Sequence, residues 1–180
     1  MNIGCLGWGS LIWKPDGLPI AGWMPDGPFL PVEFARQSRD GRLTLVLLPE
    51  GERVPVLHGI LKVADLDAAF LALSKREGCA KRQIGVWAAS GVTDLFDHAE
   101  GIGSWAQSKK LDAAIWTALP PKFSGVDGRI PAAVEAISYL TALEGDARRV
   151  AEEYVRKAPA QIRTPYRQLF EQRLAWHPIQ

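Results

Sequence analysis

The sequence predicts an α+β fold with a mostly β core and helices packed against it. Three observations carry this expectation. Short apolar runs of strand length, separated by turn residues, fill the N-terminal half. Apolar residues at helical spacing occur from Asp65 and then from Pro131 onward. The connections between the early runs are short, which fits an antiparallel meander.

Ile3 to Leu6 reads as the first strand and Phe29 to Arg36 as the second. The turn signal Arg39-Asp40-Gly41 leads into Leu43 to Leu48, and Glu50-Gly51-Glu52-Arg53 separates that run from Val56 to Val63. Asp65 is placed to N-cap a helix whose apolar positions are Leu66, Ala69, Phe70 and Leu73, and Gly78 to end it. Ile84 to Ala89 and Ala113 to Leu119 read as two further strands. Residues 91–112 form a polar excursion marked by Gly91, Gly101, Gly103 and Ser104. A surface loop insertion with one short helix is expected there, with scope to act as a lid. Beyond Pro131, Ala133, Ile137, Leu140 and Leu143 repeat on one face, and Gly145-Asp146 is expected to break that helix and cap the next. Val150, Tyr154 and Val155 continue a second helical stripe, and Pro165 opens a third helix at its first position.

The chain has 180 residues, 47% of them hydrophobic, enough for one core and a single domain over 1–180. Lys and Arg total 21 against 20 for Asp and Glu, so charge gives no argument for nucleic acid or an acidic membrane as partner. Cys5 and Cys79 are too few for a disulfide framework. No basic segment precedes an apolar stretch of signal-peptide type, and no apolar run approaches the roughly 20 residues that span a bilayer. A cytoplasmic, soluble protein is the expectation, with its oligomeric state open.

The segment Gly7 to Gly17, Gly-Trp-Gly-Ser-Leu-Ile-Trp-Lys-Pro-Asp-Gly, follows the first strand directly. Small residues around Trp8 allow close backbone approach, and successive N–H groups in such a turn can face an anion or a developing oxyanion. It is not a dinucleotide fingerprint, because Ile12 stands where the third glycine belongs and Pro15 interrupts the helix that should follow. No GxSxG elbow or P-loop occurs. His58, His98 and His177 lack paired ligand spacing, and Asp94, Asp97, His98 and Glu100 read as a solvated loop rather than a divalent-ion site. Cys5 lies within an apolar strand, where a thiol is inert, and Cys79 offers no stronger nucleophile.

One acidic residue stands out. Glu77 ends the helix that begins at Asp65. It reads either as an exposed charge or as a carboxylate set against the negative end of the helix dipole. Burial would raise its pKa, the direction a general base near neutrality needs, while Arg76 and Lys75 would oppose that shift. The residues alone leave Glu77 undecided.

The strand ending in Gly7-Trp8-Gly9-Ser10-Leu11, followed by Trp13-Lys14-Pro15-Asp16, resembles the signature loop of the γ-glutamylcyclotransferase-like superfamily, whose usual form is Tyr-Gly-Ser-Leu. Glu33 to Ser38 with Gly41 to Pro49 resembles the family's second and third strands, and His58-Gly59-Ile60-Leu61 a further one. Asp65 to Gly78 is similar to the helix whose terminal Glu is the family's acid/base, and Pro131 to Tyr139, Gly145 and Glu153-Tyr154-Val155 to its closing helices. The likeness covers most of the chain except 91–112.

The resemblance implies a small mixed β-barrel with flanking helices and a pocket between the Gly9-Ser10-Leu11 loop and Glu77. It implies release of 5-oxoproline from a γ-glutamyl compound by attack of the α-amine on the γ-carbonyl. Glu77 is then the catalytic proton carrier, Trp8, Gly9, Ser10 and Leu11 bind substrate, and no metal or other cofactor takes part. Trp13 is open between a core aromatic and a pocket wall, and Arg36 between a surface ion pair and a partner for the substrate carboxylate. Two positions depart from the family pattern. Trp8 stands for Tyr, and Cys79-Ala80-Lys81-Arg82-Gln83 replaces the Gly-Gly-Tyr run of the glutathione-specific branch. The substrate therefore stays open among glutathione, other γ-glutamyl peptides, γ-glutamyl amino acids and γ-glutamyl amines. A non-catalytic binding or regulatory module on the same fold is the alternative.

Overall fold

β1 (Ile3–Gly7) is buried at every residue, which a strand manages only with neighbours on both edges and cover on both faces. The structure is a computed structural model that describes residues 1–91 and 98–179. After β1 the elements run β2 (Phe29–Leu30), β3 (Val32–Gln37), β4 (Leu43–Leu47), β5 (Val54–Pro55), β6 (Leu57–Leu61), α1 (Leu66–Glu77), β7 (Ile84–Ala88), α2 (Ala99–Ser108), β8 (Ala113–Thr117), β9 (Lys122–Phe123), β10 (Val126–Asp127), α3 (Ala133–Ala142), α4 (Gly145–Lys157) and α5 (Pro165–Leu174). The architecture is α+β, and the chain folds as two compact units. The first comprises Met1–Gly7, Lys14–Leu30 and Pro55–Leu119; the second comprises Trp8–Trp13, Pro31–Val54 and Pro120–Gln180.

The first unit is built on a mixed sheet in the order β6-β1-β8-β7. β1 runs antiparallel to β6, with Cys5 opposite Gly59, and parallel to β8, with Cys5 opposite Ile115. β7 closes the other side antiparallel to β8. α1 packs on β7 and β8 through Ala69, Phe70 and Leu73. Its ends follow the local chemistry: the Asp65 carboxylate accepts the Ala68 N–H at 2.8 Å, and Gly78 takes the left-handed conformation at φ 61° that favours glycine. Within the 91–112 stretch, α2 buries Ala99, Ile102, Gly103 and Ala106 against β7 and β8.

The second unit has the sheet β10-β9-β3-β4, with β3 and β4 antiparallel and β3 and β9 parallel. α4 packs on β4, and α5 packs on β3 and α3. Phe34 meets Phe170 at 5.4 Å and Tyr154 at 6.3 Å between ring centroids, both edge-on, which is the favoured aromatic geometry. α5 starts at Pro165, as its fixed φ suits, with Thr164 as N-cap accepting the Arg167 N–H at 3.2 Å. Glu33 of β3 reaches the same terminus. Its Oε1 accepts from the N–H of the next residue, Phe34, at 2.8 Å and from the Thr164 hydroxyl at 2.5 Å, and its Oε2 accepts the Tyr166 N–H at 3.1 Å. A strand carboxylate thereby satisfies donors that a helix start leaves over.

Three expectations change. The meander stops at β4: β6 pairs with β1 instead. The physical reason lies at Leu45, whose N–H is bonded to the Tyr154 hydroxyl oxygen and whose carbonyl accepts the Trp8 indole N–H, each at 3.2 Å. Side chains thus occupy the groups that another strand would use. No closed barrel forms among the described residues, because one sheet ends at β6 and β7 and the other at β10 and β4. Asp146 does not cap α4; Glu144 holds the N-cap position and Asp146 lies in the first turn, 3.2 Å from Arg149. Among the described residues no helix is long and apolar enough to cross a membrane.

Candidate functional site

Glu77 is the last residue of α1, in the first unit. Its side chain is 17% exposed, and Arg76 donates from Nη1 to its Oε1 at 2.8 Å. The Arg76 guanidinium is itself 10% exposed and also donates to the Lys14 carbonyl, from Nη2 at 2.6 Å and from Nε at 3.2 Å. Burial pushes the Glu77 carboxyl above its ordinary range, and the Arg76 charge and hydrogen bond oppose the rise without cancelling it. The carboxylate in turn acts on two thiols. Cys5 of β1 and Cys79 beyond α1 are both raised, first by burial and then by the charge on Glu77. Both cysteines are free, and neither is held as thiolate.

A second polar cluster in the same unit joins Asp26 to the buried His58. His58 Nε2 lies 2.9 Å from Asp26 Oδ1, and Lys109 of the segment after α2 lies 2.5 Å from Oδ2. Lys109 first, and His58 second, hold the Asp26 carboxyl down to about 2. The Trp105 ring stands edge-on to His58 at 4.9 Å and its N–H bonds the Asp26 carbonyl at 3.1 Å. The cluster ties the Asp26 segment to α2.

The second unit carries the Trp8–Trp13 loop. The Gly9 carbonyl accepts the Ile12 N–H at 3.0 Å, which closes a turn. Gly9 is required here by close approach, since a Cβ built on it would fall on the Tyr154 hydroxyl. Trp8 and Leu11 are buried, and Ser10 is half-buried. Trp13 is half-buried and stands edge-on to Tyr154 at 5.4 Å, and the Arg42 guanidinium lies over the Tyr154 ring at 5.3 Å. Trp8, Gly9 and Trp13 thus gather around Tyr154 and Leu45. Arg36 does not join them: it donates to the Pro120 carbonyl at 2.7 Å and lies 3.9 Å from Asp127 of β10.

Two residues escape the sequence reading, and a third is legible only in part. Tyr154 reads only as part of an apolar helical stripe, yet its ring and hydroxyl organise the loop. Glu33 reads only as part of a strand motif, although a charge on a strand otherwise buried from Val32 to Ala35 signals an internal partner. Its oxygens are engaged at the start of α5, so it serves the helix rather than the neighbouring cleft of about 190 Å³ between Pro31, Leu48 and Tyr166. Arg76 is foreseen as a charge opposing Glu77, but its anchorage on Lys14 is not. Of the residues read as a solvated acidic loop, Asp94 and Asp97 lie outside the described residues, and His98 is the N-cap of α2. Among the described residues no three His, Cys, Asp or Glu side chains are grouped so as to hold a metal ion.

No family model matches the chain, and no curated protein matches it. Among solved structures, its fold matches that of a γ-glutamyl cyclotransferase specific to glutathione from yeast, with a TM-score of 0.51 over 97% of this chain and 98% of that one. The two sequences are 12% identical, so what they share is the fold.

Proposed function

We propose that the protein is a γ-glutamyl cyclotransferase that releases 5-oxoproline from a small γ-glutamyl compound. The observation that carries this reading is Glu77, a partly buried carboxyl with a raised pKa at the end of α1, in a chain with this fold. The substrate's α-amine is protonated near neutrality and must lose a proton before it can attack. A carboxylate with raised affinity for protons takes it better than an ordinary one. The amine nitrogen then bonds to the γ-carbonyl carbon within the same molecule, so proximity replaces a bimolecular encounter. The tetrahedral oxyanion needs hydrogen-bond donors fixed where its charge develops. As the γ-amide C–N bond breaks, Glu77 returns its proton to the leaving amine. The ring nitrogen gives up its second proton to the same carboxylate as the lactam forms, and that proton passes to the released amine, so the products are 5-oxoproline and the ammonium form of the amine, amino acid or peptide.

The run after Glu77, Cys79-Ala80-Lys81-Arg82-Gln83, lacks the Gly-Gly-Tyr of the glutathione-specific pattern. The substrate class is therefore γ-glutamyl compounds in general, with glutathione one member of the test panel. Purified protein is incubated with γ-glutamyl peptides, amino acids and amines, and 5-oxoproline is measured. Turnover of at least one compound is expected, and Glu77→Gln should lower it by about 10²-fold or more with unchanged circular dichroism. Absence of turnover across the panel, or a fully active Gln variant, refutes the reading in favour of a binding module.

A further inference from the structure

We propose that Arg76 is a positioning residue for Glu77: pinned on the Lys14 carbonyl, its guanidinium holds one carboxylate oxygen and keeps the group ionisable at the buried end of α1. This rests on the reading of Glu77 as the proton carrier, and it specifies what sets that carrier's working pH.

The geometry carries the argument. Successive residues on a helix diverge by about 100°, so neighbours in sequence do not ordinarily face each other. Arg76 and Glu77 nevertheless meet at 2.8 Å. Two of the guanidinium's donors, Nε and Nη2, close on the single Lys14 carbonyl at 3.2 and 2.6 Å. A planar fork held at two donors has little freedom left, and its third nitrogen is thereby aimed at Glu77 Oε1. Lysine, with one charged nitrogen, could not make both contacts with the same rigidity.

The surroundings need such a partner. Glu77 lies at the negative end of the helix dipole, where a carboxylate is disfavoured. It interacts with the Cys5 thiol from β1 and the Cys79 thiol beyond the helix, and neither supplies positive charge. Lys75, also in the last turn, is exposed. Among the described residues, Arg76 is the cation in contact with the carboxylate. With it, the rise caused by burial is opposed by the Arg76 charge and hydrogen bond; without it, burial and dipole act unopposed and the carboxyl rises further.

The test is a titration of Glu77 in isotope-labelled protein by NMR, with Glu77→Gln assigning its resonance. Wild type is compared with Arg76→Met, Arg76→Gln and Arg76→Lys, and 5-oxoproline release is followed against pH on the same samples. Loss of the charge in the Met and Gln variants should raise the Glu77 midpoint by about one pH unit or more. The acid limb of kcat should move by the same amount while KM changes little, and Arg76→Lys should restore most of the midpoint. A Glu77 midpoint unmoved in both neutral variants overturns the proposal. Should the Met variant fail to fold, the Gln variant keeps hydrogen-bond donors and decides alone. If no γ-glutamyl compound is turned over by wild type, the enzymatic reading falls, while the NMR midpoint still settles whether Arg76 governs Glu77.

Discussion

Glu33→Gln should remove a pH dependence from the stability of this protein. Burial lifts the Glu33 carboxyl to about 6 from an ordinary 4.5, against the pull of its hydrogen bonds from Thr164, Phe34 and Tyr166. A carboxyl with a raised folded pKa binds its proton more tightly in the folded state than in the unfolded one. Its stabilising contribution is therefore complete below pH 4.5 and is lost as pH rises through about 6. The gap between the two values, at about 1.4 kcal/mol per unit, amounts to about 2 kcal/mol. Glu33 is only 6% exposed, so solvent screening takes little from that figure.

The assay is urea unfolding of wild type and Glu33→Gln at about pH 4 and about pH 7.5, the two sides of the transition. Glutamine can still accept from Phe34 and Thr164 through its oxygen, but its amide cannot accept the Tyr166 N–H. That loss costs about 1 kcal/mol at either pH. Superimposed on it, the wild type should lose about 2 kcal/mol relative to the variant on going from the acid to the neutral condition. An equal difference at both pH values refutes the reasoning. A difference of the opposite sign means that the donors at the start of α5 outweigh burial, and Glu33 is then a cap whose charge stabilises the fold.

Two further substitutions probe the second unit. Arg167 is buried and donates to the carbonyls of Pro159 at 2.5 Å, Ala158 at 2.7 Å and Ile162 at 3.0 Å, holding the α4–α5 connection. Arg167→Met should cost about 3 kcal/mol or more in urea unfolding, because buried acceptors lose their donors; a cost below 1 kcal/mol would show that water replaces it. Gly9→Ala sets a methyl group against the Tyr154 hydroxyl and should destabilise by about 1–3 kcal/mol. Adding Tyr154→Phe should recover part of that loss, and strictly additive costs would locate the strain elsewhere.

What was legible in the sequence is what is chemically local. Asp65, Gly78 and Pro165 mark helix ends because capping and backbone preference act within a few residues, and all three sit where they were read. The pairing of β6 was not legible. It depends on Trp8 and Tyr154, far apart in sequence, meeting the same residue of β4. Glu77 was legible as a candidate from its place at the end of α1 and from resemblance. The direction of its pKa shift was not, since that follows from burial outweighing Arg76, a balance no spacing reveals.

Trp8 shows how the same limit bears on function. In sequence it falls where the loop that it resembles usually carries tyrosine, which keeps aromatic bulk but exchanges a hydroxyl for an indole N–H. In the structure its indole N–H donates to the Leu45 carbonyl while its ring is buried. Tryptophan and tyrosine share the relevant property, an apolar body ending in a donor that needs an acceptor when buried. Trp8 therefore serves first to seal the edge of β4. On the proposed γ-glutamyl cyclotransferase reading, substrate preference is then to be sought in the residues that follow Glu77, where the Cys79 thiol feels the carboxylate's charge.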